Sequence, residues 1–392
     1  MPDAPGTSAG AVLALIRAGE ATTRAEVTRL TGLSRTAVNA RVAALRDLGL
    51  VLEGELGPST GGRPPVQLAL DTSAGVVGTV ALGRSRVQVG VCDLGGTLLG
   101  HVEEPLDVTV GPDRVMALVV DRLRAVLASV GRSPEDLRGT GCSMPGIVDR
   151  DRGASTATPL LPSWDGVALA PYLSELGAVP AVFDNDVLVL ALSERDGHLR
   201  HHTDLIAVKA STGLGVGVVA GGRILHGGRG AAGELGHARS AAAGDLPCRC
   251  GERGCLETVA AGWALVQTMN EQGRSVGHVR DLVALVRSGD PVARTLVRDA
   301  GRRVGEVLAT AVTLLNPTAV VIGGDMAPAY DTFAAGLRET LYANATAFAT
   351  KDLAILESTH GEMAGLVGSG LLALEHVLSP AYVDRRLAHA AG

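Results

Sequence analysis

Residues 234–257 of the 392-residue chain decide its fold: Glu-Leu-Gly-His occupies 234–237, and Cys-Arg-Cys-Gly-Glu-Arg-Gly-Cys-Leu-Glu occupies 248–257. The second run places three thiols on a short loop bent by glycines, eleven residues after a histidine. Four such ligands suit tetrahedral zinc and leave no open coordination position for water. The sequence therefore predicts one structural Zn²⁺ per chain. Its predicted ligands are His237, Cys248, Cys250 and Cys255.

The five cysteines are odd in number, and three of them crowd into eight residues. In a reducing compartment this favours a metal over a disulfide. The alternative is free buried thiols, which fits Cys92 and Cys142 because each stands alone in an apparent strand.

Residues 1–10 lack the basic start and apolar run of a secretory signal. Residues 307–324 carry Asn316-Pro317, which suits a helix-to-strand junction better than a membrane span. The sequence predicts a cytoplasmic protein with no membrane partner.

The composition indicates a folded chain of two or three domains. Apolar residues make up 46% of the sequence and charged residues 19%, a balance that excludes wholesale disorder. Only nine residues are aromatic, which argues against binding nucleic acid by base stacking. The net charge is −6, yet residues 17–46 hold six Arg against two Glu. Such a local basic patch is expected when one end of a chain approaches phosphate.

The region after residue 70 alternates strand and helix patterns. Strands are predicted at 76–82, 86–92, 98–105, 140–147, 181–183 and 205–209, and an amphipathic helix at 114–130. The strand at 181–183 runs into Asp184-Asn185-Asp186, and carboxylates at strand ends are typical of α/β sites. The strand at 205–209 leads into a Gly-rich turn at 211–217, where backbone N–H groups can approach an anion or a sugar. A Gly-rich hairpin in a buried sheet is the alternative.

The Glu234–His237 segment, the cysteine run ending at Glu257 and the Asn185-Asp186 pair together resemble the ROK family. That name joins repressors, open reading frames and sugar kinases. The resemblance covers about residues 75–378. It implies an actin-like, sugar-kinase fold of two α/β lobes that divide near residue 183, with sugar bound between them and a zinc loop at 237–257.

The resemblance also implies the roles of five polar residues. In ROK kinases the matching positions contact the sugar, and the residue matching Asp186 serves as general base. His237 would place one ring nitrogen on zinc and the other on a sugar hydroxyl. Sugar hydroxyls need several convergent donors and acceptors, which explains the residue types. The implied sugar-binding set is Asn185, Asp186, Glu234, His237 and Glu257.

The first phosphate turn departs from the kinase pattern. In the kinases this turn has the sequence Asp-x-Gly-Gly-Thr. At the matching residues 81–85, this chain has Ala81 in place of the Asp and Arg84 in place of the second Gly. Residues 93–97 spell the motif, but they follow the second strand and are predicted to form an ordinary hairpin turn. The second phosphate segment, 211–213, and the sugar-side turn, 144–146, are retained. The sequence therefore predicts sugar binding without phosphorylation, and no enzyme activity.

Residues 1–70 predict a winged helix-turn-helix. Ser8, Thr23 and Ser34 can each cap a helix, with Val27 and Leu30 inside the second one. Residues 50–55 and 66–70 then alternate as two short strands around a Gly/Pro/Ser-rich tip. The third helix of such a domain enters the major groove. Dimerisation or docking of another protein is the alternative use of a small helical triplet.

Side chains of the third helix and the wing are the predicted DNA contacts. Arg35 and Asn39 suit bidentate contacts to base edges, and Thr36 projects from the same turns. Arg41 is expected to reach phosphate, and Arg63 in the wing tip is expected to enter a narrow minor groove.

These features together predict a sugar-responsive transcriptional repressor of carbohydrate-related genes. Residues 1–70 form its DNA-binding domain and residues 71–392 its sugar-binding domain. Its expected partners are double-stranded operator DNA, a sugar or sugar-phosphate effector, and a second copy in a homodimer or a dimer of dimers. The first alternative is an active sugar kinase that uses ATP and carries a DNA-binding arm. The second is a protein-docking scaffold, which would not need the polar set around Asp186.

Overall fold

The computed structural model describes residues 6–56, 66–156, 161–195 and 197–390. Its N-terminal part contains three helices followed by an antiparallel hairpin. Ser8, Thr23 and Ser34 cap the helices, since each side-chain oxygen accepts a backbone N–H of the first turn, as predicted. The elements are α1 (Ala9–Arg17), α2 (Arg24–Thr31), α3 (Arg35–Asp47), β1 (Val51–Leu56) and β2 (Val66–Leu70).

Of the two interior residues predicted for α2, Val27 is fully buried. Val38, Val42 and Leu45 on α3 are fully buried. The prediction for Leu30 is wrong, because its side chain is 41% exposed. The eight-residue helix α2 buries only Val27, and the chain then turns so that Leu33 packs against the core instead.

The first lobe contains a five-stranded sheet in the order β5-β4-β3-β6-β9. β3, β4 and β5 form an antiparallel meander, while β6 and β9 join parallel to β3. The predicted strand at 140–147 breaks into two, because Pro145 and the left-handed Gly146 interrupt it. The elements are β3 (Val76–Leu82), β4 (Arg86–Asp93), β5 (Leu98–Pro105), α4 (Pro112–Ser129), β6 (Leu137–Met144), β7 (Ile147–Asp149), β8 (Ala154–Thr156), α5 (Ala170–Leu173) and β9 (Ala181–Asn185).

The second lobe repeats that topology in the order β12-β11-β10-β13-β14. The predicted helix-to-strand junction is confirmed, with Asn316 left-handed at the end of the long helix α10. The elements are α6 (Asp186–Glu194), β10 (Leu205–Ala210), β11 (Leu214–Ala220), β12 (Arg223–Ile224), α7 (Glu257–Ala260), α8 (Gly262–Glu271), α9 (Val279–Ser288), α10 (Pro291–Leu315), β13 (Ala319–Gly323), α11 (Tyr330–Asn344), α12 (Ala347–Thr350), β14 (Ala354–Glu357), α13 (Ala364–Val377) and α14 (Pro380–Ala390).

Because the two sheets share one topology, their first hairpin turns correspond. Residues 83–85 join β3 to β4, and residues 211–213 join β10 to β11. Both turns line the same cavity between the lobes. The Asp93 carboxylate accepts the N–H groups of Gly95 and Thr97 in the turn after β4, which is the ordinary hairpin turn that was predicted.

Helices α13 and α14 connect the body to the N-terminal part. α13 packs on β3, β6 and α6, and α14 packs on α1. Within the described ranges no single helix is long and apolar enough to cross a membrane. Only the bent pair Gly361–Val377 and Pro380–Ala390 has the length and composition of a membrane span.

Candidate functional site

The cysteine loop and one histidine form a compact cluster. The ligand atoms of His237, Cys248, Cys250 and Cys255 all lie within 4.8 Å of one another. His237 ends a short 3-10 helix, Leu235–His237, and the three thiols follow on a loop held by backbone bonds such as Cys248 N–H to Glu252 O, 2.7 Å. Among the described residues this is the one group of His, Cys, Asp and Glu side chains close enough to hold a metal ion.

The separations within the cluster fit tetrahedral coordination. With metal–sulfur bonds of about 2.3 Å and metal–nitrogen bonds of about 2.0 Å, a tetrahedron places two sulfurs about 3.8 Å apart and sulfur and nitrogen about 3.5 Å apart. Cys250 Sγ and Cys255 Sγ are 3.8 Å apart, and Cys248 Sγ is 3.7 Å from His237 Nδ1. Two of the separations thus match tetrahedral edges, and all four ligand atoms are close enough to one another to hold a metal ion.

The thiols of this cluster favour the neutral form when no cation is bound. Burial, together with hydrogen bonds that the Cys255 thiol makes with the neighbouring sulfurs, raises the pKa of Cys255 to about 12. Burial raises the pKa of Cys248 as well. A divalent cation reverses this preference because it binds the thiolate directly.

His237 joins this cluster to the cavity between the lobes. Its Nδ1 faces Cys248, while its Nε2 lies 3.6 Å from Glu234 Oε2. Gly236 permits the arrangement, since a Cβ there would lie 2.1 Å from the Leu214 carbonyl oxygen on β11. The segment that carries Glu234 and His237 is thus pressed directly onto the second sheet.

The cavity between the lobes has a volume of about 420 Å³, within the usual range for small-molecule sites. The structure brings all five residues of the expected sugar-binding set to its wall. From the first lobe it is lined by Arg84, Pro145, Gly146, Ile147 and Leu161. From the second lobe and the β9–α6 junction it is lined by Asn185, Asp186, Val187, Lys209, Ser211, Thr212, Gly213, Leu214, Gly215, Glu234, His237, Arg249, Cys250, Glu252, Glu257 and Trp263.

Asn185 and Asp186 lie where β9 becomes α6. The Asn185 side-chain oxygen accepts the N–H of Val187 at 2.8 Å, and its amide donates to Gly146 O at 2.7 Å. Asn185 thereby caps α6 and ties the junction to the sugar-side turn. The Asp186 carboxylate pairs with the ammonium group of Lys209.

Glu257 and Glu234 differ in how they are held. Glu257 is 6% exposed, and its carboxylate accepts Leu214 N–H at 2.8 Å and Trp263 Nε1–H at 3.3 Å. Glu234 is less constrained. Burial raises the pKa of Glu234, and the charges of Asp186 and Glu257 raise it further, although His237 opposes them. Glu234 therefore accepts a proton more readily than an exposed glutamate does.

Reasoning from the sequence missed four side chains of this cavity. Lys209 pairs with Asp186, Trp263 fixes Glu257, and Leu161 adds an apolar wall. Arg249, between two of the cysteines, projects toward the cavity and lies 4.3 Å from the centre of the Trp263 ring. Lys209 carried a signal, since it is one of only two lysines in the chain and is the last residue of a predicted strand.

A polar cluster crosses between the lobes beside the cavity. The Asp325 carboxylate accepts the Ser211 hydroxyl at 2.6 Å and lies 3.3 Å from Arg86 and 3.5 Å from Arg280. Although burial alone would raise the pKa of Asp325, the Ser211 hydroxyl and the neighbouring cations hold it below its usual range. The second phosphate segment implied by the ROK resemblance thus has its Ser211 hydroxyl engaged inside the protein.

Three of the five expected DNA-contacting residues lie exposed on the first turns of α3. Arg35, Thr36 and Asn39 are exposed. Arg41 is half-buried, and its guanidinium donates to the carbonyl oxygens of Thr7 and Ala37. The wing-tip residue Arg63 lies outside the described residues.

Comparisons with known proteins agree with this architecture. The ROK family model matches residues 77–376. The xylose repressor of Bacillus spizizenii is 26% identical over 356 residues, which cover 91% of each chain.

Two solved structures match the fold. A ROK family transcriptional regulator, a homolog of the E. coli MLC protein, aligns over 97% of this chain and 98% of its own, with a TM-score of 0.81 and 24% identity. The ROK hexokinase of Thermus thermophilus aligns over 77% of this chain and 99% of its own, with a TM-score of 0.62 and 31% identity. The predicted two-lobe α/β fold with an N-terminal winged helix-turn-helix is confirmed. Because the family model matches three quarters of its length, the chain belongs to the ROK family.

Proposed function

We propose that this protein is a sugar-responsive DNA-binding regulator that represses carbohydrate-related genes. The observation that carries the proposal is a hydrophobic core shared by the two parts of the chain. Leu13 and Val42 of the N-terminal helices belong to the same buried cluster as Val77 and Leu374 of the body. A rearrangement of the lobes would therefore act on the helix-turn-helix directly.

The cavity between the lobes is the proposed effector site. Its carboxylates and amide can accept and donate several hydrogen bonds, which is what a polyhydroxylated ligand requires. The five side chains assigned to the sugar hydroxyls are Asn185, Asp186, Glu234, His237 and Glu257. The relative reported above is named a xylose repressor, a name that combines a sugar with repression.

The His/Cys cluster is assigned one structural Zn²⁺, held by His237, Cys248, Cys250 and Cys255. Zinc supplies rigidity here, since four protein ligands leave no position for a water. His237 can then present its second ring nitrogen to the cavity in a fixed orientation. The same loop leads directly into Glu257 at the start of α7, so the metal supports two of the effector ligands.

Residues 1–70 are proposed as the DNA-binding domain and residues 71–392 as the effector domain, with the lobes dividing near residue 183. Arg35, Thr36 and Asn39 are assigned to base edges, Arg41 to phosphate and Arg63 to the minor groove. A homodimer, alone or paired into a dimer of dimers, would place two such domains on a two-fold operator in the cytoplasm.

We infer that the body does not phosphorylate its sugar. Ala81 offers no carboxylate at the first hairpin turn, and the Ser211 hydroxyl of the second turn is occupied by Asp325. The kinase alternative is favoured by one observation, the similarity of 31% to a ROK hexokinase. ATP consumption by the purified protein in the presence of a sugar panel separates the two, and we expect none.

The decisive experiment measures DNA binding and effector response in one preparation. DNA fragments selected from a random pool by the purified chain serve as the operator, and fluorescence anisotropy gives the affinity with and without each sugar. Arg35→Ala should weaken selected DNA by about 1–3 kcal/mol and leave random DNA nearly unchanged. Arg287→Ala, which removes an exposed charge from α9 in the second lobe, is the control. A chain that selects no sequence, or selects one that no sugar affects, would overturn the proposal.

A further inference from the structure

Two arginines line the cavity from opposite lobes. Arg84 lies on the turn between β3 and β4, and Arg249 lies on the cysteine loop. Both also line a neighbouring cavity of about 510 Å³. The arginine pair, Arg84 and Arg249, therefore stands at one end of the proposed effector site, where the two cavities meet.

The arginine pair lacks carboxylate partners. Of the ion pairs formed by the described residues, none within 4.0 Å includes either guanidinium. Partial burial lowers the pKa of Arg249 and the charge of Arg84 lowers it further, although the charge of Glu257 opposes them. The two cations therefore repel each other across the cavity, and an anion placed between them would relieve that repulsion.

Arg249 is held in position although no carboxylate binds it. Its guanidinium lies 4.3 Å from the centre of the Trp263 ring, a favourable cation–π distance. Trp263 is itself fixed, because its Nε1–H donates to Glu257 at 3.3 Å. A positioned but unpaired guanidinium loses little entropy when it binds a ligand.

The remaining charge of the cavity is balanced elsewhere. Lys209 is paired with Asp186, and Glu257 accepts two N–H groups of the protein. The wall formed by Asp186, Glu234 and Glu257 is suited to hydroxyl groups and would repel an anion. The cavity thus presents carboxylates suited to hydroxyls together with two guanidinium groups that form no ion pair among the described residues.

We propose that the arginine pair is an anion subsite and that the effector is a sugar bearing a phosphate or carboxylate at its terminal carbon. This inference rests on the function proposed above. A guanidinium matches both anions through paired N–H donors. Charge-assisted bonds of this kind correspond to a preference of about 10- to 100-fold over the neutral sugar.

Isothermal titration calorimetry on the full zinc-loaded chain tests the assignment. The panel contains pentoses, hexoses and N-acetylhexosamines, each as the neutral sugar, the terminal phosphate and the terminal carboxylate. We expect one phosphorylated or carboxylated sugar to bind at least about tenfold more tightly than its neutral parent. Comparison of the terminal phosphate with the terminal carboxylate identifies which of these two anionic groups the arginine pair recognises.

Three variants locate the preference. Arg84→Gln and Arg249→Gln should each remove most of the advantage of the anionic sugar over its neutral parent, with both affinities measured in the same variant. Arg253→Gln is the matched control, because Arg253 lies on the same loop but pairs with Asp245 and does not line the cavity. It should leave both affinities unchanged.

Three outcomes overturn the inference in distinguishable ways. Neutral sugars that bind as tightly as their anionic forms remove the anion subsite and leave the proposed function intact. If the preference for the anionic sugar survives in Arg84→Gln and Arg249→Gln, residues other than the arginine pair cause it. If no sugar binds, or if ATP is the anion whose binding Arg84→Gln abolishes, the proposed regulator fails together with the subsite.

Discussion

Asp186 holds a central place among the polar residues of the cavity, because its carboxylate meets both the ligand space and Lys209. Asp186→Ala would leave a half-buried ammonium group unpaired, so a loss of function could come from misfolding. Asp186→Asn separates the effects, since its amide oxygen still accepts from Lys209.

The first prediction follows from that pair. Asp186→Asn should lower sugar affinity about tenfold or more, since a hydrogen bond to a charged acceptor is lost, while operator affinity without sugar stays at the wild-type value. Anisotropy titrations with and without sugar measure both quantities, and a melting curve reports folding. A wild-type sugar response in Asp186→Asn would remove Asp186 from the effector site.

A second residue-scale prediction concerns Arg41. Its guanidinium already bonds the carbonyl oxygens of Thr7 and Ala37. Arg41→Ala should therefore weaken selected and random DNA alike and also lower the melting temperature, unlike Arg35→Ala, which should alter base preference. Loss of discrimination in Arg41→Ala without any change in stability would show that the internal bonds do not matter.

At the scale of an element, the cysteine loop is stabilised by very little apolar packing. Arg249, Cys250 and Glu252 are partly or fully exposed, and much of the loop order comes from backbone bonds and the ligand cluster. Loops of this kind depend on the metal for their conformation.

The element-scale prediction is that metal and effector response are lost together. Metal analysis should give about one zinc per chain in the wild type, and Cys250→Ser or a chelator should lower that value, the melting temperature and the sugar affinity. Cys142→Ser, which changes a buried thiol far from the loop in β6, is the control for handling of thiols. A zinc-free preparation with unaltered sugar affinity would disprove the coupling.

At the scale of the whole molecule, two connections join the lobes to the helix-turn-helix. One is the short segment after β2, where Thr72 O accepts Leu94 N–H of the first lobe at 3.0 Å. The other is α14, where Asp384 accepts Gly10 N–H of α1 at 2.8 Å. The contact is close, since a Cβ on Gly10 would lie 2.4 Å from Pro380 O.

The whole-molecule prediction uses both connections. Gly10→Leu should push α1 away from α14, which should lower the free energy of unfolding by about 1–3 kcal/mol. It should also reduce the effect of sugar on operator affinity. A flexible Gly-Ser insertion after Leu70 should reduce it in part, and the two changes together should abolish a coupling of about 1–3 kcal/mol. Ala18→Leu, which adds bulk at an exposed position after α1, is the control.

The combined variant decides the mechanism. If it retains the full sugar effect on operator affinity, neither connection transmits the signal. If the insertion alone abolishes the effect, the segment after β2 transmits it without help from α14. Each result is read from the same anisotropy titrations with and without sugar.

The sequence by itself determined the features that depend on short-range chemistry. A hydroxyl at Ser8, Thr23 or Ser34 finds its N–H partner within one turn, and a continuous run of apolar, β-branched residues specifies the buried strand β3. The cysteine spacing likewise predicted the four-residue cluster, because its thiols lie within eight residues.

Only the tertiary structure decided which distant side chains meet. The pairing of Lys209 with Asp186, the convergence of Arg84 and Arg249, and the packing of α14 on α1 depend on how two sheets and two chain ends are placed in space. Leu30 was misassigned for the same reason, since the helical period does not say which neighbour covers a short helix. Periodicity acts over a few residues, whereas charge pairing and packing act across the fold.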